Sequence, residues 1–472
     1  MTKLITYKSR LAAKLSLAGV VTLASLPLGT ALAGSAEPPP PTAEKSALAE
    51  WWDGRQATGN WFGVRDSLQD RGVNFRADWR ANFLAIVDGG LEQRGGFDQE
   101  IRFELTVDAA KLTKIDNLDG LSFTGDVRWR EGTYSINKYS GTDSTFRPSA
   151  YTGGAGWRFR KSYATYTTPE LFGIPEFLTL SGGWQVPTDL FLVQPESKLF
   201  VNQTIRTAKG INPNLPWGGS FSTWGGYAKI EPTDWLYAQS GLYLAYPFGT
   251  DPMNHGLSFQ GYALEPSLHG LYSLDEIGVT PKIGPEQLPG KYAAGMIYWG
   301  VEKTGFDGVP YDGNLQFYWQ ADQQLFREKS IASRSSIEGT DSGKNPVAAV
   351  KPKKDDQGLY WFSTLNFAPP ENNLMQFYAL GGLVYKGLIP GRDKDQTGVA
   401  FAYGNYSFEA ADAARARNRD PQTYQAVLEV DYRIQLNRFA YVQPVVQYIM
   451  NPGGRGLVAN DTIIGLHMGV NF

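Results

Sequence analysis

The chain of 472 residues contains no cysteine, which excludes disulfides, thiolate metal sites and a cysteine nucleophile. Histidine is nearly as scarce. His255, His269 and His467 are the three present, too few for most imidazole-based metal or acid–base sites. The basic excess of a nucleic-acid protein is missing, since 44 Lys and Arg face 47 Asp and Glu for a formal net charge of −3. Mean hydropathy is −0.32, which excludes a polytopic helical membrane protein. It leaves room for a membrane β-barrel, whose strands are apolar on one face only. Against these shortages stand 53 glycines, 13% aromatic and 42% hydrophobic residues, with 19% charged, a composition that argues against wholesale disorder.

The longest apolar run sits at the N-terminus. Lys3, Lys8 and Arg10 precede an apolar stretch from Leu15 to Leu28, and Ala31-Leu32-Ala33 gives a small-x-small cleavage pattern before Gly34. The run is shorter than the ~20 residues of a spanning helix. Residues 1–33 therefore read as a cleaved secretory signal, and a cysteine-free exported chain of this size fits a bacterial envelope protein. Residues 34–72 read as a short extension. Glu37-Pro38-Pro39-Pro40-Pro41 is a stiff spacer, and residues 43–52 and 61–71 can each form a short helix, with Val64 and Leu68 four apart among charged neighbours. No repeat at solenoid or propeller period is present.

From residue 73 onward the period is two. Val73, Phe75, Ala77, Trp79, Ala81 and Phe83 alternate with Asn74, Arg76, Asp78, Arg80 and Asn82. Ile101, Phe103, Leu105 and Val107 alternate with Glu100, Arg102, Glu104, Thr106 and Asp108. Leu121, Phe123, Val127 and Trp129 alternate with Ser122, Thr124, Asp126, Arg128 and Arg130, and Tyr424 to Leu436 repeats the pattern. Such strands need oil on one side and water on the other. A soluble sandwich supplies both with its apolar face inside. Two features favour the inverted arrangement. The strands reach about the 9–11 residues that cross a bilayer with tilt. Aromatics also gather near strand ends, as interfacial girdles do: Trp235 and Tyr237, Tyr298 and Trp299, Tyr360 and Trp361.

Ile464, Leu466, Met468, Val470 and terminal Phe472 are apolar at every second position. This resembles the signal by which bacterial outer-membrane barrels are recognised for assembly. The expected fold is all-β, a transmembrane antiparallel up-and-down β-barrel over residues 73–472. Its expected place is the outer membrane of a Gram-negative-type bacterium, in contact with outer-membrane lipid and with barrel assembly machinery through the Phe472 strand. About fifteen segments plus a weak one at 257–265 suggest sixteen strands, the even number usual for single-chain barrels. Residues 132–156 and 187–220 fall on the long-loop side, and Glu231-Pro232-Thr233-Asp234 and Asn437-Arg438 on the short-turn side. Residues 327–357, long and polar, fall on the short-turn side too, which leaves the count between 247 and 400 open by about two.

If the apolar rows face lipid, the alternate rows face the lumen. The first strands then line one wall with Arg76, Arg80, Arg102, Arg128, Arg130, Arg158 and Arg160, interleaved with Asp78, Glu100, Glu104, Asp108 and Asp126. Gln316, Gln320, Gln324, Tyr441, Gln443 and Gln447 are further lumen candidates. A charged row is needed simply to hold water, but the clustering exceeds that need. A barrel of about sixteen strands leaves an aqueous channel, and its selectivity comes from bore, hydrogen-bonding groups and fixed charge. Mixed-sign charge suits a neutral polyhydroxylated solute, with Arg donating and carboxylate accepting. Arg76, Arg80, Arg102, Glu104, Asp126, Arg128 and Arg130 are the candidate pore-lining set. A long loop such as 187–220 can fold inward and add to them.

Enzyme readings fare poorly. There is no G-x-S-x-G elbow, no H-E-x-x-H and no G-x-x-x-x-G-K-[ST] loop. Gly339 to Asn345 echoes a phosphate loop one residue short, with Asn345 where Ser or Thr is needed. Carboxylates drawn from Glu100, Glu104 and Asp126 would be ion-paired among arginines, whereas a glycosidase acid needs a raised pKa. His467 lies on the lumen parity, a poor place to meet a lipid substrate. No cofactor, metal or nucleic-acid partner is expected, and no pattern encodes an oligomeric state.

Thr58-Gly59-Asn60-Trp61-Phe62-Gly63-Val64-Arg65, followed by Leu68 and Arg71-Gly72-Val73, resembles the N-terminal motif of the OprB-type carbohydrate-selective porins. Tyr385-Lys386-Gly387-Leu388-Ile389-Pro390-Gly391-Arg392-Asp393, leading into Gly398 to Tyr403, resembles a later block of the same family. With the barrel pattern the resemblance spans about residues 51 to 472. Asn60 and Phe62 depart from the Asp and Gly more usual there. The resemblance implies a sixteen-stranded outer-membrane channel for passive diffusion of glucose and related sugars, monosaccharides first. A general diffusion porin, a porin for another small solute and, more remotely, a barrel enzyme remain as alternatives.

Overall fold

Alternation sustained over eight to sixteen residues becomes, in a computed structural model, a cylinder of long antiparallel strands. The structure describes residues 46–151, 156–207, 210, 212–215, 222–245, 270–328 and 356–472. The expected signal 1–33, the proline spacer, the weak strand at 257–265, His255, His269 and the Gly339–Asn345 segment lie outside the described residues.

The first wall is built from β1 (Val73–Asp88), β2 (Gly95–Asp108), β3 (Leu121–Tyr134) and β4 (Gly156–Thr167). It continues through β5 (Leu178–Gln185), β6 (Thr223–Thr233), β7 (Leu236–Leu244) and β8 (Leu271–Val279). Next come β9 (Leu288–Trp299), β10 (Asn314–Arg327), β11 (Gly358–Phe367) and β12 (Met375–Lys386). The circuit ends with β13 (Gln396–Tyr406), β14 (Tyr424–Gln435), β15 (Ala440–Met450) and β16 (Asp461–Asn471). Each strand pairs antiparallel with the next, and β16 pairs back onto β1 through Trp79↔Val470 and Phe83↔Leu466, which closes a sixteen-stranded barrel. Closure leaves the barrel sheet without a free edge strand among the described residues.

Polarity is inverted relative to a soluble protein. On β10, Gln316, Gln320 and Gln324 are at most 2% exposed, whereas Phe317 and Leu325 on the opposite row are 49% and 48% exposed. Phe103, Phe123, Leu428, Val430, Ile464 and Leu466 also point outward. His467 lies inward and wholly buried, bonded to Tyr441 at 2.8 Å. The aromatic pairs near strand ends divide between the faces. Tyr298 is outward, while Tyr237 and Tyr360 are buried inside. Tyr298–Trp299 and Tyr360–Trp361 are adjacent along a strand and point to opposite sides, so each pair gives an outer girdle one ring; Trp235 is exposed in the turn before β7, and Tyr237, two residues on, is buried inside.

Two-residue and other short turns gather at the end where β1 begins and β16 finishes, as at Asp234-Trp235 and 436–439. The described ends of the β10–β11 connection, Glu328 and Asp356 to Gln357, lie at this same end, the side on which the chain order put residues 327–357. The sixteen strands are complete without one at 257–265.

Residues 47–72 of the extension pack on the rim of the barrel. Helix α1 (Ala47–Trp52) sets Trp51 against Phe439 with ring centroids 5.1 Å apart, and α2 (Val64–Asp70) follows the Trp61–Gly63 turn. Ala57 N–H donates to the Asn471 carbonyl at 2.8 Å, and Arg65 Nη1 donates to the Phe472 carbonyl oxygen at 3.2 Å. These contacts lie along the β1–β16 seam at the rim.

Candidate functional site

The register brings the charged rows of β1, β2 and β3 side by side. Arg76 faces Glu104, Asp78 faces Arg102 and Arg80 faces Glu100. Across the next seam Arg102 faces Arg128, Glu100 faces Arg130 and Glu104 faces Asp126. All seven residues singled out from the sequence therefore share one inward patch. Asp78 is approached by Arg102 at 3.1 Å, Arg80 at 3.2 Å and Arg76 at 3.7 Å. Arg128 reaches Asp126 at 2.9 Å and Glu100 at 3.1 Å, and Arg130 reaches Glu100 at 2.5 Å.

The patch is layered, which alternation along the chain does not reveal. Side chains of Asp78, Glu100 and Asp126 are 2%, 2% and 0% exposed, beneath arginines that retain between 11% and 57%. Short carboxylates sit close to the sheet while longer guanidinium arms cross over them. Among the carboxylates of this patch, Glu104 is the one whose side chain keeps appreciable exposure, 22%.

A β-bulge on β4 alters the pattern further. Asp126 pairs with Lys161 and Val127 with Phe159, so Arg160 is the extra residue. Both Arg160 and Lys161 then point inward, donating to Asp189 at 2.9 and 2.7 Å. Confinement among protein atoms would raise the Asp189 carboxyl, but these two cations hold it well below the usual carboxylate range.

Asp189 belongs to the long connection between β5 and β6, whose described residues fold into the barrel. Phe191, Leu192, Leu199, Phe200, Val201 and Ile205 are buried against the inner wall. A Cβ added to Gly398 would lie 2.8 Å from both Leu199 Cδ2 and Phe200 Cζ, so the bare backbone of β13 lets this loop lie flat. Polar clasps complete the seating. Val201 and Asn202 N–H groups donate to Glu429 at 2.5 and 2.8 Å, and Gln194 Nε2 donates to the Ser363 carbonyl at 2.6 Å. Arg433 Nη2 and Gln443 Nε2 both donate to the Leu199 carbonyl. The loop thereby covers the far wall and faces the arginine patch.

Across the remaining opening, Lys198 lies within electrostatic range of Arg80 and Arg160. Arg206 sits over the Tyr151 ring at 5.7 Å, Tyr151 stacks on His467 at 5.9 Å, and Arg433 lies 4.5 Å from the Tyr441 centroid. Asp189, Lys198, Arg206 and Tyr151 were not among the candidates because loop residues carry no alternation to read. Inward folding of 187–220 was the available clue.

A closed barrel of this size, apolar outside, polar inside and narrowed by an inward loop, defines an outer-membrane porin. The chain belongs to the carbohydrate-selective porin family OprB, whose profile matches residues 95–472. The later sequence block at 385–403 lies inside that match and the 58–73 block before it. Porin B of Pseudomonas aeruginosa is 24% identical over 446 residues, covering 88% of this chain and 90% of that protein. A putative porin QuiX of Acinetobacter baylyi is 23% identical over 451 residues, covering 89% and 94%. A high-pH structure of Pseudomonas putida OprB superposes with a TM-score of 0.75 at 20% identity, over 90% of this chain and 100% of that one. The protein is a sugar-selective outer-membrane channel of a Gram-negative bacterium.

Proposed function

We propose that this channel passes small sugars, glucose and related monosaccharides first, by passive diffusion through the opening between the arginine patch and the inward loop. Arg76, Arg80, Arg102, Arg128 and Arg130 supply forked donors to ring hydroxyls, Glu104 supplies an acceptor, and Asp126 holds Arg128 in place. The carrying observation is the registered charge patch on β1 to β3 facing a loop that narrows the bore. Selectivity then follows from hydrogen-bonding geometry at a constriction, with no energy coupling and no covalent step. The outward apolar rows meet outer-membrane lipid, and the β16 row ending at Phe472 is offered to the barrel assembly machinery.

A liposome swelling assay tests this with glucose, a disaccharide and an amino acid of glucose's size. Glucose is expected to enter faster than both and to be recovered unchanged. Equal rates for glucose and the amino acid point instead to a general diffusion porin, and a chemically altered sugar points to an enzyme.

A further inference from the structure

Within the sugars that the channel reading admits, we propose that the favoured permeants are sugar acids, aldonates or uronates with one carboxylate beside vicinal hydroxyls. This rests on the sugar-channel reading and adds a preference between charge states.

The layering of the site carries the inference. A guanidinium has five donors and no acceptor. Arginines cover Asp78, Glu100 and Asp126, so the surface a solute meets is largely donor and cationic. Of the more accessible carboxylates near the opening, Asp189 is already held by Arg160 and Lys161, and Glu104 lies 3.5 Å from Arg102. Each hydroxyl of a neutral sugar brings a proton to donate as well as two lone pairs, and few free acceptors await those protons.

Cations are also in surplus. Among the described residues, Arg158, Lys198, Arg206 and Arg433 have no carboxylate within salt-bridge distance. Lys198 is exposed. Arg206 Nη1 donates to the Lys198 and Phe200 carbonyls, which leaves its charge uncompensated. Arg433 bonds to Gln443 Oε1 and the Leu199 carbonyl. Asp431, in electrostatic range of Arg206 and Arg433, is only 1% exposed and therefore withheld from solute. The buried Tyr151 hydroxyl, beneath Arg206, has no hydrogen-bond partner among the described residues.

A carboxylate accepts two parallel bonds from a guanidinium, which satisfies these donors in a way a hydroxyl does not. Fixed cations lining a narrow opening with low-dielectric walls also raise the local concentration of an anion. One carboxylate is enough, because a permeant must also leave.

The test uses the full mature chain in proteoliposomes and three labelled sugars of one ring size. These are glucose, glucuronate, and glucosamine in a buffer acidic enough to protonate it. In about 20 mM salt, glucuronate is expected to enter about tenfold faster than glucose, and glucosamine slower than glucose. In about 0.5 M KCl, where screening shortens to a few ångströms, the three rates should converge. Lys198→Gln with Arg206→Gln should lower the glucuronate-to-glucose ratio at low salt. Glucose entry with glucuronate no faster overturns the sugar-acid preference and leaves the sugar channel standing. A preference that survives both high salt and the double variant overturns the charge argument. Failure of glucose to outpace the size-matched amino acid in the swelling assay removes the sugar-selective reading itself and leaves a general diffusion porin.

Discussion

Arg128 offers the sharpest test of the layered wall. Its Nε and Nη2 donate to the two Asp126 oxygens at 2.9 and 3.0 Å, and its Nη1 to Glu100 Oε1 at 3.1 Å. Among the described residues no other cation lies within salt-bridge distance of Asp126, since Lys161, its register partner, is engaged by Asp189. Glu100 by contrast keeps Arg130. Arg128→Ala therefore strands one buried carboxylate, which should cost about 3 kcal/mol, the low end for breaking a buried pair because lumen water is near. Asp126→Asn removes the charge and leaves Arg128 on Glu100, costing about 1 kcal/mol. The double variant should also lose only about 1–2 kcal/mol, giving a coupling energy of about 2–3 kcal/mol. Urea unfolding of the refolded barrel in detergent, followed by tryptophan fluorescence, measures all four corners. A coupling energy near zero, with Arg128→Ala as stable as the parent, would mean that water reaches Asp126 freely. The separation of buried anions from accessible cations would then be wrong.

Phe103→Arg, on the outward row, should cost ~2–4 kcal/mol if it lies near the bilayer midplane and hinder assembly. Arg102→Ala on the inward row should leave a folded barrel with reduced sugar selectivity, both read from heat-modifiable migration and liposome flux. Deleting Phe472, or Phe472→Asp, should lower the yield of assembled barrel in the outer membrane, because either change removes the aromatic end of the apolar row offered for assembly, and deletion also removes the N–H that donates to the Ala77 carbonyl; undiminished yield refutes the role. Protein isolated from outer membranes should begin at Gly34 on N-terminal sequencing, and retained residues 1–33 would overturn the cleavage expectation.

Strand positions and faces were legible because bilayer and water make opposite demands on adjacent residues, so Trp79 and Arg80 declare their sides without any tertiary information. The limits of that signal are equally physical. The bulge at Arg160 turns Lys161 inward, although strict alternation from Arg158 would place it on the lipid side. The inward loop is further out of reach. Its seat depends on contacts such as Val201 to Glu429, 228 residues apart, and on the missing side chain of Gly398. Tyr237 and Tyr360 show the converse error, where an aromatic near a strand end suggests the interface but buries inside.

Charge is where composition misleads most. Along the chain the wall reads as mixed and nearly balanced, which suggests a surface offering donors and acceptors alike. Side-chain length breaks that balance in depth. Asp78 and Asp126 end close to the backbone, where backbone and guanidinium stems cover them, while arginine heads extend into the lumen. The anions are consumed in fixing the cations' positions, so the field a permeant meets is set by the outer layer and not by the sum. The formal charge of −3 for the whole chain is thus compatible with a cationic constriction. A residue's reach, as well as its sign, decides which solutes such a wall admits.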